Sequence, residues 1–291
     1  MIEIRPSVLE EAPALKALWR KAFHDPDCYI DWFYDCCWAP EDTLLLLEDG
    51  VLASMLDLMP MELSLPDGRT AQAYYVYALA TDPGVRKKGY GRKLLHYVDF
   101  HLRSRGADCV TVVPAEPSLH RFFGTVGFAP GFSLRKLELL KSMVEAPGVG
   151  MAQLVEPEEY NRIRNALLTD MPCIRYNEKL ICYQQGMSRM GNAGLYRVEV
   201  DGVEGCAAAE YVDKNRLLFK ELVIPRPQMA GAVAQLAALL PADSYHVRTP
   251  AGWEGLPGSY IQPFAMIKWY NREKQEIWMQ GAYSYMGLGF D

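Results

Sequence analysis

Basic residues are in the minority. Thirty lysines and arginines stand against 36 aspartates and glutamates, for a net charge of −6. That balance argues against a general nucleic-acid binder, whose surface must attract a phosphate backbone. It leaves an amine or other cationic substrate open. No apolar run reaches the about 20 residues that a membrane helix needs; the longest spans residues 229–240. No basic-then-apolar leader opens the sequence, so no signal peptide is expected. The seven cysteines (28, 36, 37, 109, 173, 182 and 206) contain no C-x-x-C pair. An odd count without that spacing fits reduced thiols in a cytoplasmic protein and no zinc site. Of the five histidines, His96 and His101 stand at non-facing positions on one helix and the others are scattered, so no metal pair is expected.

What the chain has in quantity is apolar residue, 50% of 291 positions, enough for one large core or two moderate ones. The most informative stretch runs over 74–106. Residues 74–81 are aromatic and β-branched and read as a strand. Asp82, Pro83 and Gly84 end it. After Arg86-Lys87-Lys88-Gly89-Tyr90-Gly91, apolar residues recur at helical spacing, with Leu94, Val98 and Leu102 on one face. Gly106 is placed to cap the helix at its C-terminus. A loop with two glycines opening a helix directs backbone N–H groups outward at the positive end of the helix dipole. With Arg86, Lys87, Lys88 and Arg92 around it, this is an anion site. A glycine-bearing turn with solvated basic residues is the alternative. The spacing is neither G-x-x-x-x-G-K-S/T nor G-x-G-x-x-G, which argues against a nucleoside triphosphate or a dinucleotide.

The loop resembles the Arg/Gln-x-x-Gly-x-Gly/Ala signature of the GCN5-related N-acetyltransferase (GNAT) superfamily, where it holds the pyrophosphate of coenzyme A. A second feature follows in the right order. Residues 108–114 read as the next strand, and 119–128 resemble the family's helix ending in an aromatic-x-x-x-Gly-Phe turn. The resemblance implies an α/β acyl-CoA N-acyltransferase fold, with a mixed sheet whose parallel strands splay apart around the pantetheine arm. It implies acetyl-CoA as donor and an amine of a small molecule or peptide as acceptor. Cofactor contacts would fall at Leu79, Ala80, Thr81, Arg86, Lys87, Lys88, Gly89, Tyr90, Gly91 and Arg92. A backbone N–H near Ala80 would stabilise the oxyanion. Many members carry a tyrosine four residues before the glycine of the Gly-Phe turn, as acid for the departing thiolate. Here that position is Phe123. Water, Tyr77 or Tyr97 would then supply the proton, or the chain is a non-catalytic acyl-CoA-binding module.

Elsewhere, residues 1–5 read as a strand, and Ser7 as the cap of a helix to about residue 22 with an apolar stripe of Leu15, Leu18 and Trp19. Residues 25–38 are dense in aromatics and form a second helix, which lines the acceptor pocket in the family or simply packs the core. Residues 43–48 and 51–65 are strands joined by an Asp49-Gly50 hairpin turn. A Pro/Gly-rich run at 144–150 reads as a linker between a GNAT domain at 1–145 and a second domain at 151–291. There the pattern recurs: strand 195–200, Asp201-Gly202, strand 203–211, strand 216–224, helix 229–240 and strand 245–248. Pro225-Arg226-Pro227-Gln228 stands where the glycine loop was, and its prolines donate no N–H, so one cofactor site per chain is expected.

This duplication resembles the enhanced-intracellular-survival acetyltransferases, without their sterol-carrier-like domain. In those relatives the terminal carboxylate is the base, a role that would fall here to Asp291, after an apolar run at 285–290 that reads as docked. Asp57, mid-strand between apolar neighbours, is a second candidate if buried, or else an edge or solvent-facing residue. Glu116 lies near the expected cofactor or caps the following helix.

Overall fold

The structure is a computed structural model that describes residues 1–291. Two compact units interleave along the chain. The first comprises Met1–Leu63, Thr70–Pro130 and Ala265–Glu276; the second comprises Ser64–Arg69, Gly131–Phe264 and Ile277–Asp291. The Pro/Gly-rich run at 144–150 lies inside the second unit.

The first unit opens with β1 (Ile2–Pro6), α1 (Ala12–Phe23) and α2 (Asp27–Cys36). Ser7 does not cap α1. Its hydroxyl donates to the Pro40 carbonyl, and the helix starts at Ala12 with a proline in its first turn, where a missing N–H leaves no bond unmade. β2 (Thr43–Glu48) and β3 (Val51–Ser64) are joined by Asp49 and Gly50 at φ 51° and 80°. Positive φ at both residues is what a tight hairpin between right-twisted strands requires. β4 (Thr70–Thr81), α3 (Tyr90–Ser104), β5 (Cys109–Val112) and α4 (Pro117–Gly124) follow. β1, β2 and β3 pair antiparallel, whereas β4 runs parallel to β5. Side chains alternate across β4. Tyr74 and Val76 join the core that Leu94, Val98 and Leu102 of α3 bury, while Tyr77 on the other face meets Trp19 of α1 and Phe33 of α2. Leu94 and Leu102 are wholly buried, so truncating either to alanine costs about 2–5 kcal/mol.

The chain continues with β6 (Ala129–Leu140), β7 (Gly150–Leu154), α5 (Pro157–Leu167), β8 (Ile174–Arg175), α6 (Glu178–Met190), β9 (Leu195–Val200), β10 (Val203–Asp213), β11 (Arg216–Val223), α7 (Met229–Leu239) and β12 (Ser244–Pro250). The second unit repeats the order of the first. β7, β9 and β10 pair antiparallel as β1, β2 and β3 do, and β11 runs parallel to β12. Asp201 and Gly202 repeat the hairpin conformation at φ 52° and 78°. Met229, Ala232, Val233 and Leu236 of α7 pack into a core with strand residues such as Val198, Phe219 and Val247. β6 pairs antiparallel with β12. Last come β13 (Tyr260–Trp269), whose residues from Met266 pair antiparallel with β5 within the first unit, and α8 (Arg272–Trp278). The architecture is a duplicated mixed α/β fold. No helix is long and apolar enough to cross a membrane.

Candidate functional site

β4 and β5 stay together for only a short way. Their parallel pairing runs from Ala73↔Cys109 to Val76↔Val112, and β4, with β3 on its other side, then continues to Thr81 without β5. Just past the parting, Ala78 sits at φ 47°, in the left-handed region that non-glycine residues seldom enter. A strand that kinks as it leaves its neighbour presents backbone polar groups to the gap. Which residues do so follows from the register with β3. The Asp82 N–H donates to the Ala53 carbonyl at 2.9 Å. Alternate residues of an antiparallel pair face the same neighbour, so Ala80 also faces β3, and Leu79 and Thr81 face the gap. The Ala80 carbonyl in addition accepts from the Ser54 hydroxyl at 2.6 Å. The backbone groups of β4 that face the gap are therefore those of Leu79 and Thr81, not those of Ala80.

The loop after β4 is shaped by two left-handed residues, Lys87 at φ 71° and Gly89 at φ 79°. Asp82 anchors its start, accepting from the Gly84 N–H at 2.8 Å and pairing with Lys21. The first hydrogen bond of α3 runs from the Lys93 N–H to the Gly89 carbonyl. The N–H groups of Gly89, Tyr90, Gly91 and Arg92 thus have no partner within the helix, an arrangement that favours an anion at a helix N-terminus. A Cβ at Gly89 would meet nothing within 4 Å, so space in front of the loop is open. Arg86 reaches back to the Thr81 carbonyl at 3.4 Å, and Arg92 donates to the Thr125 hydroxyl at 3.1 Å. Lys88 is engaged otherwise, its ammonium 2.9 Å from both oxygens of Glu48. Hydrogen bonds from Tyr90 and Lys88 hold the Glu48 carboxyl below its usual range, and Glu48 in turn raises Lys88.

Phe123, near the end of α4, is 4% exposed, with its ring 5.6 Å from Phe128 and 5.2 Å from Phe122. It brings no proton. Of the alternative tyrosines, Tyr77 has its hydroxyl 2.7 Å from that of Tyr29, and Tyr97 stacks on His101. Glu116 is the residue before α4, in the capping position, and accepts from the Ser118 hydroxyl at 3.2 Å.

Asp57 is neither an edge nor a solvent-facing residue. It lies in β3, which pairs with β2, is 3% exposed, and accepts from the Thr43 hydroxyl at 2.5 Å. Its second oxygen, Oδ2, has no hydrogen-bond partner, nor does the nearby Tyr34 hydroxyl. Burial pushes the Asp57 carboxyl up to about 7. Counting from Ala53 opposite Asp82, Asp57 stands across from the kinked part of β4. Asp291 is placed differently. It belongs to the second unit, unlike Ala80 and Phe123. Arg248 donates to its two carboxylate oxygens at 2.8 and 2.9 Å. Although burial opposes charge here, Arg248 and Lys220 win and hold the group well below the usual carboxylate range. Such a carboxylate is a poor proton acceptor near neutral pH.

The family model described as an acetyltransferase (GNAT) domain matches residues 3–129. No curated protein matches the sequence. Among solved structures, a GCN5-related N-acetyltransferase from Anabaena variabilis is similar with a TM-score of 0.72 at 10% identity, covering 92% of this chain and 72% of that one. One from Kribbella flavida gives 0.70 at 13% identity, over 94% and 72% of the two chains. Eis1 from Mycobacterium abscessus gives 0.66 at 13% identity, over 93% and 74%. At these identities the likeness is one of fold.

Proposed function

We propose that the protein transfers an acetyl group from acetyl-CoA to an amine of a small molecule or peptide, a reading supported by the match of residues 3–129 to the acetyltransferase (GNAT) domain and by the likeness in fold to GNAT structures. The observation that carries this reading is the parting of β4 from β5 ahead of a loop that has two left-handed residues and carries Arg86, Lys87, Lys88 and Arg92. Arg86, Lys87, Lys88, Gly89, Tyr90, Gly91 and Arg92 would hold the pyrophosphate, and Leu79, Ala80 and Thr81 the pantetheine arm. The thioester supplies an activated carbonyl carbon and a thiol leaving group whose ordinary pKa is about 8.5.

The N–H groups of Leu79 and Thr81 are the proposed donors to the oxyanion, fixed in place before the reaction begins. Asp57 is the proposed acceptor for the amine's proton, because a carboxyl raised to about 7 matches that task better than an ordinary one. Phe123 has no proton to give, so water protonates the departing sulfur. Holding amine and thioester in register supplies much of the remaining acceleration.

The buried, hydroxyl-free Phe123 also favours a second reading, a non-catalytic acyl-CoA-binding module. Incubation with acetyl-CoA and a panel of primary amines and lysine peptides separates the two. Amine-dependent thiol release with an acetylated product by mass spectrometry supports the transferase. Tight coenzyme binding with no product on any amine supports the module.

A further inference from the structure

The second unit repeats the strand parting of the first, but there the space is filled. β11 pairs with β12 from Arg216↔Ser244 to Phe219↔Val247 and no further. Its register against β10 shifts at the same place, making Lys220 an extra residue in β11. Against this point lies the chain's own segment 285–291, in which Tyr285, Met286, Leu288 and Phe290 are exposed by 2% or less. The segment is gripped largely through its main chain. The Ile174 N–H donates to the Tyr285 carbonyl and the Tyr285 N–H to the Pro172 carbonyl, both at 2.9 Å. Arg164 of α5 donates to the Met286 carbonyl at 3.1 Å. The Tyr176 hydroxyl lies 2.8 Å from that same carbonyl and also contacts the Leu288 carbonyl. The Phe290 ring packs 5.5 Å from Tyr176 and 5.6 Å from Tyr183. Beyond it, Arg248 clasps the Asp291 carboxylate and Lys220 contacts its main-chain oxygen.

The cleft is built for such an occupant. Arg164 and Glu221 form an ion pair at 2.7 Å with both side chains fully buried. The remaining Arg164 nitrogens donate to the Ile174 and Met286 carbonyls. Without the segment, a buried guanidinium N–H and the Tyr176 hydroxyl would lose acceptors, which proteins rarely tolerate. An apolar side chain could not replace those carbonyls. The cleft also discriminates by size. A Cβ at Gly287, which sits at φ 76°, would fall 1.9 Å from Glu221 Oε1. Only a residue without a side chain lets the backbone come so near.

We propose that the second unit is a peptide-binding site, occupied in cis by residues 285–291. Its ligand class is an extended segment with glycine at the Glu221 contact, an aromatic residue at the Phe290 position and an acidic residue directly after it. The second unit then serves recognition of a peptide chain in place of acyl transfer, and a competing segment of the same pattern can displace the resident one. This inference does not rest on the acetyltransferase reading.

The probe is a fluorescent peptide of sequence SYMGLGFD, added to the full chain and to the full chain carrying Phe290→Ala and Asp291→Ala. Weakening the resident segment should let the variant bind the probe about tenfold more tightly than the unaltered chain does. A probe carrying the Gly287→Ala change should lose about tenfold in affinity or more. Equal binding of both probes overturns the proposal, as does no binding to a variant that stays folded by circular dichroism. Hydrogen exchange on the unaltered chain decides the matter if the variant does not fold. A docked ligand opens on its own, so amides 285–290 should exchange faster than those of β10 and β11. Exchange in step with β11 would make the segment an integral part of the core and overturn the proposal. Neither assay uses acyl-CoA, so failure here leaves the acetyltransferase reading standing.

Discussion

Asp57→Asn keeps the size of a side chain that is only 3% exposed and removes its charge. Burial raises the carboxyl from 3.8 to about 7. That difference, about 3 units at about 1.4 kcal/mol each, makes the charged form some 4 kcal/mol less favourable in the folded protein than in the unfolded chain. The folded pKa lies above the unfolded one, so the folded state holds the extra proton. Asp57 therefore does least harm below the unfolded value, and stability is lost as the pH rises from about 4 to about 7. The Thr43 hydroxyl can donate to an amide oxygen as it does to Asp57 Oδ1, so the asparagine keeps that bond. Urea unfolding of both proteins from about pH 4 to about pH 8 tests this. The variant should be more stable at the alkaline end, by up to about 4 kcal/mol and with an unchanged m-value, and the gap should close on acidification. Parallel pH profiles, or a less stable variant at pH 8, would refute burial as the cause. If Asp57 also takes the amine's proton, the variant loses turnover while its coenzyme affinity stays the same.

Three further outcomes follow from the geometry. Arg164→Met strands the Glu221 carboxylate in the second unit and should cost about 3–5 kcal/mol in denaturant unfolding; adding Glu221→Met should cost less than the sum of the two single changes, because the stranded charge goes while the lost donors to the Ile174 and Met286 carbonyls do not return, and additive losses would mean the pair is not coupled. Glu48→Gln frees Lys88 and the Tyr90 hydroxyl beside the phosphate loop, so calorimetry should show coenzyme A binding a few-fold more tightly at low salt, an advantage that shrinks as salt is added; an unchanged Kd would remove Lys88 from the phosphate ligands. Phe123→Tyr places a hydroxyl in the packing against Phe128 and should destabilise by about 1–3 kcal/mol; an unchanged Tm would show that the ring edge reaches polar space.

Local chemistry was legible wherever one residue type permits one conformation. Asp49-Gly50 and Asp201-Gly202 announce their hairpins because both central residues take positive φ. Gly89 and Gly91 mark the start of α3, and the period of Leu94, Val98 and Leu102 marks its buried face. What stayed hidden depends on partners far away in sequence. Residues 129–140 form a strand, but no side-chain pattern says that its neighbour is β12, nor that β5 receives residues from β13. Alternation puts Asp57 opposite Leu56 and Leu58, but whether that face is wet depends on how α2 folds over it. Ala80 is one residue from the groups that face the gap, and a period of two makes that difference decisive. The apolar run at 285–290 signals burial, while Arg164, Lys220 and Arg248, which receive it, are scattered over α5, β11 and β12. Ser7 has the chemistry of a cap, but the proline in the first turn of α1 moved the helix start.

An acyl-CoA site at this loop is tested most directly by thermal unfolding with coenzyme A, acetyl-CoA or ATP, on the unaltered chain, Gly89→Trp and Gly89→Ala. Both substitutions carry the strain of a side chain at φ 79°, about 1–2 kcal/mol, but only the indole fills the space before the loop amides. Both coenzymes should raise the Tm of the unaltered chain, by the equivalent of about 2.7 kcal/mol at a hundredfold excess over Kd. ATP should not, and Gly89→Trp should lose the coenzyme shift that Gly89→Ala retains. No shift with either coenzyme, or a full shift in Gly89→Trp, would contradict an acyl-CoA site at this loop.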